Sequence, residues 1–273
     1  MSKTSATLTS GTTVDSGGLL TVSSTAQTSG KANADGSQTG NTAVGVGAAV
    51  ALNLGIASNT ATIPTNTTVS SQGLTVSAMM PGTSSVNAFE ADAKSGAGAS
   101  NVGVAGSLAL NTVDNSSSAS LASGSTVDAG TGPVLIEASN IASNTVTSGA
   151  SVTGSGTSAK VGVGASVGLN VAVDSTTAEV ADGAILTGGS SMGLNATGGD
   201  TMATTVTGGA AGAQVTVTPL VAVSVAVDST TALLGTGADV SLAGPYSSTA
   251  SQNASVTTTA TGTTQGSNVA VGA

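Results

Sequence analysis

A Val-x-Val phrase returns at Val44, Val102, Val161, Val215 and Val269, closing on an alanine at Ala48, Ala165 and Ala273. The four steps between these starts are nearly equal, each roughly 54 to 59 residues, which is a length typical of repeat units. A second anchor, Ala-x-(Leu/Ile/Val), keeps the same beat at Ala6, Ala61, Ala119, Ala178 and Ala232. A fixed period of this size is the signature of a tandem array, in which each unit buries its face against its neighbours. The spacing predicts one continuous body over residues 1–273, with no separate domains or linkers.

Within a period the alternation has period two. Val161, Val163, Ala165, Val167, Leu169, Val171 and Val173 alternate with Gly162, Gly164, Ser166, Gly168, Asn170, Ala172 and Asp174, which reads as a β-strand. The valines are expected on the buried face, and the small residues on a face that another sheet can approach closely. In the fourth period Pro219 interrupts the pattern and predicts a bend or bulge. A turn, the short Ala-x-Val strand, a Gly/Asp/Ser turn and a further apolar strand such as Leu74-Thr75-Val76 follow the long strand. Each period ends in a Ser/Thr/Ala/Gly run, Val146 to Ser158 or Ala254 to Thr264, read as a second long strand.

The expected fold is therefore all-β: a parallel β-solenoid (β-helix-like) of about five stacked repeats, each of roughly 54 to 59 residues. Two foldings of the period compete, one wide coil or two to three smaller coils. The wide coil is favoured because each anchor occurs once per period, so only that arrangement stacks like on like. It would put Asn53, Asn111, Asn170 and Ser224, each nine residues after its valine, into one column about 4.8 Å apart, where side-chain amides bond along the stack. Val102 to Asp114 is one residue shorter than Val161 to Asp174. Because a slip exchanges the faces, a bulge is expected there.

Composition narrows function. Charged residues are 6% of the chain against roughly 25% in ordinary soluble domains, and only Phe89 and Tyr246 are aromatic. Four lysines, no arginine and a net charge of −9 exclude nucleic acid as a natural partner. No apolar stretch is long enough for a membrane helix, and two aromatics cannot furnish the girdles of a transmembrane barrel. With neither His nor Cys there is no His-based triad, thiol nucleophile or ordinary zinc site, and no enzyme is expected.

Asp114, Asp174 and Asp228 recur, each read as opening a turn. Stacked, they would form a carboxylate column, a weak candidate metal site at which calcium would relieve repulsion; the competing reading is three solvated turn residues. No catalytic or cofactor-binding residue is assigned. Thr-x-Thr pairs at Thr7, Thr60, Thr65, Thr145, Thr205 and Thr216 leave an ice-binding array as a remote alternative.

The phrases VGVGAAVALNL, VGVAGSLALN and VGVGASVGLNVAVDSTTAEV resemble repeats of large bacterial surface adhesins, of the filamentous-haemagglutinin and leukotoxin-type filamentous kinds. That resemblance implies an extracellular or cell-surface shaft that spaces other domains, and it carries over no catalytic residue. At the chain ends, Ala273 aligns with Ala165 and Met1 with Ile56. Both ends are thus expected to be open, either to further repeats of a longer chain or to head-to-tail stacking of copies into a filament. The expected function is a structural or adhesive extracellular fibre segment; the alternative is a self-assembling, silk-like or amyloid-like matrix subunit.

Overall fold

In the computed structural model, which describes residues 1–80, 86–154 and 159–273, backbone pairing follows the sequence period. Ser2 pairs with Ala57, Ala57 with Asn115, Asn115 with Asp174, and Asp174 with Asp228, so that each rung lies one period from the next. Every ladder is parallel, and no helix occurs among the described residues.

The strands are β1 (Ser2–Thr7), β2 (Thr13–Asp15), β3 (Leu20–Thr25), β4 (Ser29–Ile63), β5 (Thr68–Ser70), β6 (Leu74–Met80), β7 (Asn87–Leu121) and β8 (Thr126–Asp128). They continue as β9 (Pro133–Gly154), β10 (Ala159–Val180), β11 (Ile185–Thr187), β12 (Ser191–Thr218), β13 (Leu220–Leu234), β14 (Asp239–Ser241) and β15 (Tyr246–Gly272). The expected second long strand over Val146 to Ser158 falls within β9 as far as Gly154; residues 155–158 lie outside the described residues.

One period, taken from Pro133, has three sides. β9 is an outgoing limb, β10 a returning limb, and the short strand β11 a third side. The limbs belong to a ten-stranded sheet that closes on itself as a parallel barrel, because β7 pairs with both β9 and β10 while β12 joins those two. The short sides form their own five-stranded sheet in the order β14-β11-β8-β5-β2.

Both anchors become columns. Val44, Val102, Val161, Val215 and Val269 lie side by side on successive strands, as do Ala6, Ala61, Ala119, Ala178 and Ala232. The main core sits where the third side holds the limbs apart. Val69, Val127 and Leu186 of the short sheet meet Ile63, Leu121 and Val180 from one limb and Val76, Ile136 and Leu194 from the other. Here branched side chains from all three sides meet one another.

Farther out the limbs draw together and the interior changes character. Ala91, Ala93 and Ala109 with Val146, then Ala97, Ala105 and Ala150 with Val152, fill it; glycines make room for these valines, as Gly103 does for Val152, or bring backbone against the facing limb. A Cβ on Gly164 would stand 2.6 Å from the carbonyl oxygen of Gly209. Phe89, the one buried aromatic, fits because Gly55 opposite leaves room for its ring.

This spacing reverses the expected faces. Ser166, Asn170 and Ala172 are wholly buried, while Val46 is 63% and Leu54 71% exposed. The Val-rich face therefore points outward. Between closely packed limbs there is no volume for a valine row, so the small-residue face takes the interior.

The corner after each Ala-x-Leu anchor turns through a left-handed residue: Gly11, Asn66, Gly124, Gly183 and Gly237, with φ between 55° and 78°. Asparagine is the substitute that tolerates this region best after glycine. Gly183 has open space around it, so its replacement tests backbone conformation alone. Gly183→Val is expected to cost about 1–2 kcal/mol, and Asn66→Gly to be near neutral, both read from urea unfolding midpoints.

Pro219 separates β12 from β13, yet its carbonyl still accepts from the Ser166 N–H at 3.1 Å. The bulge expected beyond Asn111 is not there, since Val102 to Leu121 runs in unbroken register with both neighbours. Irregularities fall instead at Gln38–Val44 and Ala211–Val215.

Candidate functional site

Two features set this chain apart from an ordinary β-structure: a polar spine between the limbs and an apolar sheet on the outside. The spine begins with asparagine. Asn53, Asn111, Asn170 and Ser224 occupy one column in register. Asn53 Nδ2 donates to Asn111 Oδ1 at 2.9 Å, and Asn111 Nδ2 to Asn170 Oδ1 at 3.0 Å. Asn170 Nδ2 then crosses the interior to the Asn144 carbonyl at 2.9 Å. Ser224 leaves the ladder and donates across to Thr204 Oγ1 at 2.8 Å. The amides thus tie strand to strand along the column and limb to limb across it, satisfying polar groups that would otherwise be costly to bury.

Two columns farther along, the strand carries charge into the same interior. Asp174 and Asp228 are rung neighbours, and Asn115 occupies the preceding rung. Asp114 is not part of this column. Because no residue is skipped, it pairs with Ile56 and Val173 and stands on the outer face. None of the three opens a turn, since β7, β10 and β13 run straight through them. The third carboxylate comes from the opposite limb: one oxygen each of Asp174, Asp200 and Asp228 lies within 4.8 Å of the others.

Burial pushes the Asp174 carboxyl up to about 7, the Asp200 charge adding to it and the nearby Asn115 and Asn140 amides pulling it back. Asp200 is pushed up to about 6, again chiefly by burial, against a hydrogen bond from Asn144 Nδ2 at 2.8 Å. Burial also raises Asp228. All four lysines are exposed, so no basic side chain neutralises the group.

The outer face of the returning limbs is a different surface. Val46, Val50, Leu52 and Leu54 of β4, Val104 and Leu108 of β7, Val167 and Val173 of β10, and Val221, Val223, Val225 and Val227 of β13 are all exposed. A dozen positions along four strands span about 40 by 19 Å at ordinary β spacings, or roughly 800 Å². Monomeric proteins seldom expose an apolar patch beyond a few hundred Å² unless it meets something. Asp114 sits at its border and is the one charge among these rows.

The outgoing limbs carry the polar surface. Lys31 pairs with Glu90 at 2.8 Å; Thr147, Thr205 and Thr259 form one column, and Thr207 lies beside Thr261. Thr216 and Thr218 point inward and are fully buried, so the Thr-x-Thr pairs do not share a face. A groove of about 560 Å³ crosses this surface, lined by Asp92, Lys94, Thr147, Gly149, Thr207 and Thr261 among others. It offers hydroxyls, one carboxylate and one ammonium.

The carboxylates at Asp174 and Asp228 were legible as a recurring position, whereas Asp200 was not. The whole of β11 and part of β12 separate it from Asp174 along the chain, and the two become neighbours only because the limbs fold back on each other. The chain matches no protein-family model, and no curated protein or solved structure matches it.

Proposed function

We propose that the chain is a structural fibre segment, a parallel β-solenoid of about five stacked repeats with one wide coil per period, placed outside the cell as an adhesin-type shaft. The single observation behind this reading is the pairing of strand residues with their equivalents one period on, from β1 through β15. Such pairing makes length from repetition. The extracellular placing rests on the resemblance of the VGVGAAVALNL-type phrases to adhesin repeats. Further coils, whether from the same chain or another copy, would extend the ladders by the same parallel pairing.

The exposed Val/Leu face favours a second reading alongside the first, lateral self-assembly into a matrix fibre. Its occupant is a second copy of the same face. Two such sheets can pack about 10 Å apart, and roughly 800 Å² per partner is the area a stable protein interface buries. Charge is nearly absent from the face, so pairing leaves almost no ion to desolvate.

Sedimentation velocity and electron microscopy of the purified chain test this. Laterally paired particles are expected at micromolar concentration. The double variant Leu52→Glu/Val167→Glu should give single particles with an unchanged β spectrum, because both side chains already face solvent. A wild-type chain that stays monomeric at high concentration would remove the lateral reading.

A further inference from the structure

The Asp174, Asp200 and Asp228 cluster holds more than repulsion. Asp174 and Asp200 are 5% and 2% exposed, yet Asp174 Oδ2, Asp200 Oδ2 and Asp228 Oδ1 have no hydrogen-bond partner. Around them, Asn115, Asn140 and Asn144 are at most 1% exposed. Asn115 lies beside the Asp174 carboxyl, but neither of its side-chain polar atoms has a partner in hydrogen-bonding geometry, and Asn140 Oδ1 and Asn144 Oδ1 are likewise without a donor. Buried polar atoms in native folds are nearly always satisfied, and each exception calls for a reason. Here six oxygens of carboxylate and amide type stand unpartnered in one stretch of the interior.

We propose that Asp174, Asp200 and Asp228, with the side-chain amides of Asn115, Asn140 and Asn144 around them, form an interior binding site for a hard divalent cation, calcium. The donor chemistry selects the ion. All the available donors are oxygens, with no nitrogen or sulfur ligand such as zinc and copper prefer. Calcium accepts roughly six to eight oxygens at about 2.3–2.6 Å in irregular arrangements, whereas magnesium demands a near-ideal octahedron and keeps several waters. A cluster assembled from two facing limbs and three successive strands is irregular by construction.

The amides complete the site by a small motion. Asn140 Nδ2 now faces Asp174 Oδ1 at 3.3 Å, and Asn144 Nδ2 faces Asp200 Oδ1. Turning each amide about its last bond exchanges nitrogen for oxygen and presents Oδ1 toward the carboxylates. Asp228 is only partly covered, which leaves a route to solvent. The bound ion would link β10, β12 and β13, joining the two limbs at a level where no basic side chain does so. The site is independent of the apolar outer face, so it stands or falls apart from lateral assembly.

Titration calorimetry and thermal unfolding of the full chain, stripped with a chelator and examined at about pH 8, test the proposal. One calcium per chain is expected, with the unfolding midpoint rising about 5–10 °C at a hundredfold excess over Kd, a far smaller response to magnesium chloride, and loss of the response near pH 5. Asp200→Asn should abolish the calcium response. Asp114→Asn, on the outer face, should keep it. Absence of binding heat and of any shift in millimolar calcium would overturn the proposal, as would an undiminished response in Asp200→Asn. An equal response to magnesium would overturn the assignment to calcium.

Discussion

Gly164→Val is expected to destabilise the chain by about 3 kcal/mol or more, while Val167→Ser, three positions along the same strand, costs under about 1 kcal/mol. By hydrophobicity the ranking would be the reverse. Gly164 faces the interior, where an added Cβ would meet the Gly209 carbonyl oxygen at 2.6 Å; that neighbour is backbone and cannot swing aside. Gly168 is in the same position against Val206 Cγ2, also 2.6 Å away, but a side chain can yield, so Gly168→Ala should cost less than Gly164→Val. Val167 lies on the outer face, 38% exposed. Its replacement forfeits only the partial burial of one side chain and forces nothing against backbone. Denaturant unfolding of the three variants decides the matter: a severe loss in Val167→Ser with a mild one in Gly164→Val would mean that the valines are the interior.

In chelator and without added cation, stability is expected to fall as pH rises from about 4 to about 8. The sign follows from the carboxyl groups. Asp174 and Asp200 titrate at about 7 and about 6 in the fold, against roughly 3.9 in an unfolded chain. Between those limits the folded chain binds more protons, so raising pH favours unfolding. The contribution is fully present below pH 4 and lost as pH passes through 6 and 7. Asp174 alone accounts for on the order of 4 kcal/mol, and Asp200 shares part of the same repulsion. Asp174→Asn should flatten the profile and raise stability at pH 8. Urea midpoints measured across that range provide the check; a wild-type profile that is flat or rises over pH 4 to 8 would count against a buried carboxylate cluster.

The Asn column was legible because its members keep a constant distance from the valine anchor along a single strand. The Asp column misled for a related reason. Matching Asp114 to Asp174 by residue type implied a skipped residue, whereas the backbone keeps continuous register and puts Asn115 on that rung. In a parallel ladder, twenty consecutive pairs from Val102 to Leu121 outweigh the match of one side chain. Asp200 had no local signal, because its partnership with Asp174 depends on where the chain reverses between limbs. The corner turns, by contrast, are local: four glycines and Asn66 mark them, and their φ values follow from what each residue permits.

From the sequence alone came the period, the all-β class, the two anchor columns and the asparagine ladder, because parallel pairing at a fixed step depends only on which residues recur. Tertiary structure decided which face of each long strand is inside. Strict alternation makes both faces equally regular, and apolar character argued for burying the valines. The distance between the limbs settled it the other way: the returning limbs turn their Gly, Ala, Ser, Asn and Asp inward, where backbone or a larger side chain of the facing limb, such as Val206 against Gly168, comes close, and their Val-rich face remains outside.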